Sequence, residues 1–389
     1  MQTLWLALSI LLVTALSSCK SAGGDSDLSG ASSIPFGNHR FDEVTWLVSH
    51  NAFNNKKDTN WLAPNQAKNI RDQLNDGVRG LMIDLHSYKD KVYLCHNACD
   101  KSSFLTAGLN RQEPGNVFNP VVSFLRDNRN AVVTIFIEDY ISKDQLRKLL
   151  DGTKDLRGLQ FDPYKEDVRG RGWPKVGDMV NSNKRLLIFS DRSDKAELGV
   201  GFGPDFTTEN YWSVGMVTSD YNCKSRWDNM PLNKQEGRYE RLFVMNHFRD
   251  VPFTMASNII DNKENIIMDR VEKYCLPKAG RKPNFIALDF YEYGDGRRVV
   301  ERMNEVRAVI YKDGDYTGDA QLLYADQKLN AKDIKIGSDQ ITSLRVYPNA
   351  KIVLFDDADW NKHLMDVTTN VKNIGDANDR VSSLRVERP

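Results

Sequence analysis

Short apolar runs alternate with segments of helical periodicity between residue 41 and about residue 303. The runs are rich in β-branched and aromatic residues, as buried parallel strands are. In order they read VTWLVSH, GLMIDLH, KVYLCH, AVVTIFIED, RLLIFSD, YWSVGM, RLFVMNHF and NFIALDF. Helices fit between several of them, and in one segment Ile70, Leu74 and Val78 recur four apart on one face. About eight strands predict an α/β fold, a (β/α) barrel of the TIM type, with a doubly wound open sheet as the alternative.

Most of these apolar runs end in ionisable side chains. The residues at or near these ends are His50, Asp84, His86, His96, Glu138, Asp191, His247 and Asp289. In a barrel the carboxyl ends of the strands form one rim, where active sites are assembled. A polar strand end can also serve only as a hydrogen-bonding group. Four of the six histidines lie at such ends, however, and together they predict an active site on the rim.

Beyond the last of these strands, the pattern changes to an internal repeat. The segment TSLRV at Thr342 returns as SSLRV at Ser382, and an aromatic-x4-aromatic corner at Tyr311 returns at Phe355. Two all-β units of about 40 residues cannot each bury a core alone. We therefore expect them to pair into one small sandwich over residues 304–389.

This repeat resembles the βγ-crystallin domain, which consists of two Greek-key motifs. Many microbial members bind calcium through the pattern (N/D)(N/D)xx(S/T)S. The stretch NDRVSS from Asn378 fits it, while SDQITS from Ser338 has Ser first and Lys362 replaces the glycine of the second corner. The resemblance implies calcium bound by hard oxygen ligands, namely Asp339, Ser343, Asn378, Asp379 and Ser383. Turn capping by these residues is the alternative.

The amino-terminal residues differ from the rest of the chain. LWLALSILLVTAL is too short to span a bilayer comfortably but is typical of a signal-peptide core. LSSC, ending at Cys19, resembles the lipobox of bacterial lipoproteins, although MQT lacks the usual basic residue. This resemblance implies a signal peptide over 1–18, a lipidated Cys19 and a flexible tether over 19–38. Lys20 favours sorting to the bacterial outer membrane, on its periplasmic or outer surface; an ordinary secretory signal is the alternative.

Charge and cysteine content indicate which partners and which cross-links the protein has. Lys and Arg number 53, as do Asp and Glu, so the composition supports no nucleic-acid partner. It leaves the oligomeric state open. An even set of four cysteines in an exported chain favours disulfides. Cys95 with Cys99 and Cys223 with Cys275 is the preferred of three pairings, and a zinc site is the alternative.

Four blocks in order, WLVSHNAF, GVRGLMIDLHSYKDKVYLCHN, VVTIFIEDY and PNFIALDFY, resemble the phosphatidylinositol-specific phospholipase C X-domain superfamily. The likeness covers a domain of residues 39–303. It implies that His50 is the general base on the inositol 2-hydroxyl and that His96 is the general acid for the departing diacylglycerol oxygen. Two histidines with pKa values near neutrality suit such proton exchange. The resemblance further implies that Asp289 orients the base.

The same resemblance implies a calcium site in the barrel. Calcium-dependent members bind the ion through Asn and three acidic residues, and Asn51, Asp84 and Glu138 match three of them. The fourth position is His86, where metal-independent bacterial members carry Arg. We expect His86 to contact the phosphate as imidazolium, because a hard cation disfavours imidazole. Two further strand-end residues are expected to line a headgroup pocket: His247 and Asp191.

The sequence thus predicts a phosphodiesterase of the phospholipase C type, assisted by Ca²⁺, which acts on a phospholipid or membrane-surface substrate and is itself attached to a membrane by its lipid anchor. A glycerophosphodiester or sphingolipid phosphodiesterase is a second interpretation, disfavoured because Met82 stands where those enzymes carry Glu. A third is a catalytically silent lipoprotein that binds surfaces with calcium. Trp212 and Trp227 are expected in the core.

Overall fold

The computed structural model describes residues 34–58, 64–96, 99, 111–215, 219–236, 239–250 and 255–388. The predicted signal peptide, Cys19 and most of the predicted tether lie outside them. Within the described ranges, no helix is long and apolar enough to cross a membrane.

The first part of the chain is built around one sheet of ten strands. Its strands are β1 (Trp46–Ser49), β2 (Gly80–Tyr88), β3 (Lys91–Leu94), β4 (Val133–Tyr140), β5 (Gln160–Phe161), β6 (Leu186–Ser190), β7 (Gly201–Phe202), β8 (Thr207–Glu209), β11 (Leu242–His247) and β12 (Phe285–Leu288). The main path runs β5-β6-β4-β2-β1-β12-β11-β8 and is parallel, while β3 pairs antiparallel with β2, and β7 pairs with β6. The strands β9 (Gln235–Glu236) and β10 (Tyr239–Glu240) form a separate antiparallel pair.

Helices lie between most of these strands. They are α1 (Ile70–Asn75), α2 (Gly115–Asp127), α3 (Lys143–Gly152), α4 (Leu156–Leu159), α5 (Val168–Arg171), α6 (Val176–Asn181), α7 (Gly203–Phe206), α8 (Met255–Asp261), α9 (Glu264–Asp269), α10 (Leu276–Ala279) and α11 (Gly296–Asn304). Their starts follow local capping chemistry. Ser142 and Gln145 form a capping box at α3, and the Asn69 side chain accepts a hydrogen bond from Asp72 N at α1.

The α/β fold is confirmed, but a fully closed TIM barrel is not observed. The sheet is a curled half-barrel: β5 and β8 end its main path, and no pairing joins these two strands in the described part of the chain. The strands beside this opening are short, two residues in β5 and β7 and three in β8. Such short strands offer few backbone hydrogen bonds for closing a ladder.

Side-chain alternation along the strands separates two apolar clusters. Leu47, Leu81 and Ile135 belong to the larger cluster, which includes residues of the helices. Their strand neighbours point to the opposite, concave face, where an aromatic-rich cluster contains Val48, Val244, Phe285, Phe189 and Trp46. This concave cluster forms an apolar floor beneath the carboxyl ends of the strands.

Two disulfide bonds are formed, Cys95–Cys99 and Cys223–Cys275. The predicted pairing is therefore confirmed, and the zinc alternative is excluded for these cysteines.

The carboxyl-terminal residues form two antiparallel sheets. The strands are β13 (Val306–Asp313), β14 (Thr317–Tyr324), β15 (Lys328–Asn330), β16 (Ser343–Val346), β17 (Lys351–Phe355), β18 (His363–Val367) and β19 (Ser383–Glu387). One sheet is β14-β13-β16 and the other is β15-β19-β17-β18, so β15 of the first repeat pairs in the sheet of the second. Val371 of the second repeat bridges in turn to Leu344 of the first. The two repeats share one apolar cluster, which explains why neither would be stable alone.

A buried polar contact joins the antiparallel sheets to the rest of the fold. Arg345, whose side chain is 5% exposed, pairs with Glu240 and donates from Nε to Gly280 O at 2.6 Å. The Tyr311 hydroxyl donates to the same carbonyl at 2.8 Å. Gly280 has φ 62°, and a Cβ there would lie 2.7 Å from Tyr316 O. The two parts therefore pack as one body rather than as separate modules on a linker.

Replacing Arg345 by Ala should lower the free energy of unfolding by about 2–4 kcal/mol, because Glu240 loses its cation and the Gly280 carbonyl loses a donor. Urea denaturation measures this. Arg297→Ala is the matched control: the Arg297–Glu301 pair is 71% and 60% exposed and should contribute less than about 0.5 kcal/mol. Equal effects of the two substitutions would show that the Arg345 contact does not hold the parts together.

Candidate active site

His50 follows β1 at the centre of the sheet and is held by both its backbone and its ring. Its N–H donates to Leu288 O at 3.0 Å, and its carbonyl accepts from Gln66 Nε2 at 2.7 Å. The ring Nδ1 lies 2.9 Å from Asp289 Oδ1, which also accepts from Asn65 Nδ2 at 2.9 Å. Because a carboxylate accepts here, Nδ1 carries the proton and Nε2 is left as the basic nitrogen.

Phe248, which sequence reasoning missed, fixes the plane of the His50 ring. The two rings stack with centroids 3.6 Å apart and an interplanar angle of 5°. Phe248 is buried and lies just beyond β11. The sequence could have indicated Phe248, because residues two apart in a strand point to the same face and Phe248 lies two residues after the cavity-lining Asn246.

His96 lies just beyond β3 and lines the same cavity as His50. Burial, followed by the nearby His50, lowers its pKa to about 4. His96 is therefore neutral at pH 7 in the free protein. An anion bound in the cavity would favour the imidazolium and raise this pKa.

Carboxylates lie together at the ends of three neighbouring strands. Asp84 and Glu138 are direct partners across β2 and β4, and Asp191 follows β6. All three line the cavity, as does Asn51, which is buried with φ 44°. Burial, followed by the charges of Glu138 and Asp191, raises the pKa of Asp84 well above its usual value. This wall of the cavity is thus strongly acidic.

The donor set can be compared with the needs of a hard cation. Asn51, Asp84 and Glu138 offer only oxygen ligands at the acidic wall, and a cation would relieve the repulsion that raises the Asp84 pKa. Yet no group of three or more His, Cys, Asp or Glu side chains among the described residues is placed to bind a metal. The chemistry of the set fits Ca²⁺, provided that water or substrate oxygens complete the coordination.

The His86 ring lies against an aromatic neighbour. It stacks on Tyr140, with centroids 4.4 Å apart, and its Nε2 is buried without a hydrogen-bond partner among the described residues. The Tyr140 hydroxyl donates to Glu138 Oε1. Burial lowers the pKa of His86, and the ring is not among the residues that line the cavity. The expected contact of a His86 imidazolium with phosphate is therefore not supported.

The expected role of His247 in a headgroup pocket is wrong. Along β11, Asn246 faces the cavity, so His247 points to the opposite face. Its Nε2–H donates to Asp261 O at 2.9 Å, and its Nδ1 accepts from Arg270 at 3.0 Å. Burial, followed by the Arg270 charge, lowers its pKa to about 3. His247 is a neutral structural residue.

The wall formed by β8 and β11 carries a hydrogen-bonded chain that the sequence did not reveal. Asn246 Nδ2 donates to Glu209 Oε1 at 2.7 Å, and an Arg226 guanidinium nitrogen donates to Glu209 Oε2 at 3.0 Å. The Arg226 guanidinium lies over the Trp227 ring, 4.9 Å from its centroid. The cavity they line measures about 420 Å³, within the range of small-molecule sites.

Trp212 and Trp227 are not in the core, contrary to expectation. They line the cavity and remain 37% and 39% exposed. Both follow β8, so they lie on the side of the sheet where the strands end. The cavity therefore opens through an aromatic margin.

The residues proposed to bind calcium in the antiparallel sheets have other partners. The buried Ser343 and Ser383 hydroxyls donate to the carbonyls of Asp313 and Asp357, at 2.6 and 2.5 Å. Other polar contacts link the two repeats: Thr342 Oγ1 to Asn378 Oδ1 at 2.8 Å and Ser382 Oγ to Asp339 Oδ1 at 2.9 Å. Asp339 and Asp379 both have positive φ, 57° and 58°, as turn residues do.

Acid should destabilise the fold through His247. Its pKa is about 3 when folded and 6.5 when exposed, so the unfolded chain binds a proton that the native chain does not between these values. Its stabilising contribution is complete above pH 6.5 and falls by about 1 kcal/mol per unit towards pH 3. The free energy of unfolding, measured by denaturation at a series of pH values, should fall less steeply with falling pH in His247→Gln between pH 6.5 and 4.5. His363→Gln, at an exposed site, should not reduce the slope; an unchanged slope in His247→Gln would contradict the assignment.

Known proteins are similar to two different parts of this chain, and the first part is the parallel-sheet region. The PI-PLC X 1 family model matches residues 36–304. A PI-PLC X domain-containing protein of Arabidopsis thaliana is 33% identical over 277 residues, 68% of this chain and 62% of that protein. An "Uncharacterized secreted protein" of Arthroderma benhamiae is 25% identical over 272 residues, 66% and 58% of the two chains. The chain thus spans less than two thirds of these two relatives.

Solved βγ-crystallin domains are also similar to part of the chain. A domain from Flavobacterium johnsoniae is 26% identical, with 21% of this chain and 93% of that chain covered and a TM-score of 0.20. The N-terminal domain of protein S is 21% identical, with 21% and 96% covered and the same TM-score. The family match spans the entire parallel-sheet region that builds the cavity. The chain belongs to the PI-PLC X domain family.

Proposed function

We propose that this protein is a phosphodiesterase of the phosphatidylinositol phospholipase C type that cleaves the inositol phosphodiester of a phospholipid. The observation that carries the proposal is the His50–Asp289 pair, which shares one cavity with the second histidine, His96. One imidazole is polarised as a base, and the other gains a proton when an anion binds. This is the arrangement that a two-step proton exchange at phosphorus requires.

In the proposed reaction, Asp289 holds the Nδ1–H of His50 and stabilises the imidazolium that forms. His50 Nε2 takes the proton of the inositol 2-hydroxyl, whose oxygen attacks phosphorus. The bond from phosphorus to the diacylglycerol oxygen breaks, and His96 donates its proton to that oxygen. The products are diacylglycerol and a cyclic inositol phosphate, which water opens with the two roles reversed.

A hard cation such as Ca²⁺, bound through Asn51, Asp84 and Glu138, would supply positive charge against the phosphate. On the opposite wall, Glu209 and Asn246 present hydrogen-bonding groups suited to a polyhydroxylated headgroup.

The substrate is proposed to be bound at a membrane surface. Seven large hydrophobic side chains are exposed in the described part of the chain. Four of them lie at the carboxyl end of β4 or in the segment that follows β8, on the side on which the cavity opens: Tyr140, Tyr211, Trp212 and Trp227. Amphipathic aromatic rings favour the interface between lipid and water.

Export is proposed on two grounds. Two disulfide bonds are typical of proteins outside the cytoplasm, and one relative is named as secreted. Lipidation of Cys19 and attachment to the outer membrane are part of this proposal and rest on the sequence pattern alone.

His50→Ala and His96→Ala should each reduce the release of inositol phosphate from phosphatidylinositol vesicles by about 10²–10⁴-fold, because each removes one proton-transfer group. Release is measured with calcium and with a chelator. His363→Ala, at an exposed site in the antiparallel sheets, is the control and should retain full activity. Full activity in either site variant, with the fold intact, would refute the assigned roles.

Tyr211→Ser with Trp212→Ser should weaken binding to phosphatidylinositol vesicles about tenfold, because two exposed aromatic side chains no longer enter the lipid interface. Vesicle sedimentation measures the binding. Tyr274→Ser removes an exposed aromatic ring elsewhere on the surface and should leave binding unchanged. Equal binding by the two variants would contradict the proposed surface.

A further inference from the structure

His96 is attached to the fold differently from His50. His50 follows β1, which has parallel neighbours on both sides, and its ring is held by Asp289 and Phe248. His96 follows β3, a strand that lies off the main path of the sheet. The last residue of β3, Leu94, exchanges backbone hydrogen bonds with Gln112 at 2.9 and 3.1 Å. His96 lies two residues beyond that pair, where the regular ladder has ended.

The Cys95–Cys99 disulfide encloses His96. Cys95 directly precedes the histidine, and the bond to Cys99 joins two Cα atoms that are 5.4 Å apart. Both cysteines are buried. The Cys95 N–H points to Asp84 O at 3.4 Å, which relates this turn to the acidic wall. A covalent ring of so few residues leaves the backbone at His96 little freedom to rotate.

Position matters more for a general acid than for most residues of a pocket. A proton donor must lie about 2.6–3.2 Å from the oxygen that it protonates. Displacement by about 1 Å is enough to lose most of the benefit of positioning. For His50, the strand and Asp289 contribute to this positioning. At His96, a covalent ring begins at the preceding residue.

We infer that the Cys95–Cys99 disulfide is a positioning element for His96, and that it serves proton donation to the leaving group rather than general stability. The inference rests on the proposed function, and it concerns only the second half of the proton exchange. Attack by the inositol oxygen, which depends on His50 and Asp289, should proceed without the disulfide.

The test compares two substrates that share the inositol phosphate headgroup. A short-chain, water-soluble phosphatidylinositol has an alkoxide leaving group that needs a proton, whereas a 4-nitrophenyl ester releases a phenolate that needs none. In the variant Cys95→Ser/Cys99→Ser, kcat for the first substrate should fall about 100-fold with KM within about threefold. For the nitrophenyl ester, kcat should fall by less than about threefold. His96→Ala should show the same selectivity.

Cys223→Ser/Cys275→Ser is the matched control, because it also removes one buried disulfide from the same chain. Its effect should be the same factor for both substrates. Retained activity on the nitrophenyl ester shows that the Cys95→Ser/Cys99→Ser protein is folded.

Three results would overturn the inference. The first is an equal loss on both substrates in Cys95→Ser/Cys99→Ser, and the second is full activity of that variant on the alkoxide substrate. In either case, a selective loss in His96→Ala would leave the proposed function intact. The third, a folded wild-type protein inactive on both substrates, would refute the proposed function and the inference together.

Discussion

The carboxylate of Asp289 is fully buried, and the rim of the sheet is arranged around it. Taking such a charge out of water is costly unless donors surround it. Here His50 and Asn65 both bind its Oδ1, and Asn65 also accepts from Phe290 N at 2.7 Å. These contacts tie together the end of β1, the segment before α1 and the end of β12. The orientation of the His50 ring is therefore inseparable from the packing of three chain segments.

A second constraint is the distribution of charge in the cavity. Acidic side chains crowd the wall formed by β2, β4 and β6, while His96 is neutral in the free protein. Arg226 and Arg249 also line the cavity, but each is paired with a carboxylate, Glu209 or Asp261. The positive charges of these two arginines are therefore already balanced by carboxylates. A phosphodiester would be best received together with a proton on His96 or a cation at the acidic wall.

The antiparallel sheets add a rigid support rather than a mobile appendage. Arg345 brings a guanidinium into a site from which water is largely excluded and meets Glu240 there. The same contact fixes Gly280, just before β12, the strand that leads to Asp289. The packing of the antiparallel sheets and the geometry of the His50–Asp289 pair are thus linked through the short stretch of backbone from Gly280 to Asp289.

The sequence by itself determined the alternation of strands and helices, the polar strand ends and the repeat, because each depends on local spacing, and it favoured the disulfide pairing that is observed. It could not distinguish His247 from Asn246, since a shift of one residue along β11 reverses which side chain faces the cavity. It also missed Phe248, Glu209 and Arg226, whose roles depend on neighbours distant in the chain.

Only the tertiary structure decided that the sheet stays open, because closure depends on pairing between strands from different parts of the chain. It also stacked the His86 ring on Tyr140 and directed the Ser343 and Ser383 hydroxyls to the carbonyls of Asp313 and Asp357. In each case a buried polar side chain contacts a ring or a carbonyl that the fold places next to it. Burial and hydrogen bonding between distant segments settled what spacing along the chain had left open.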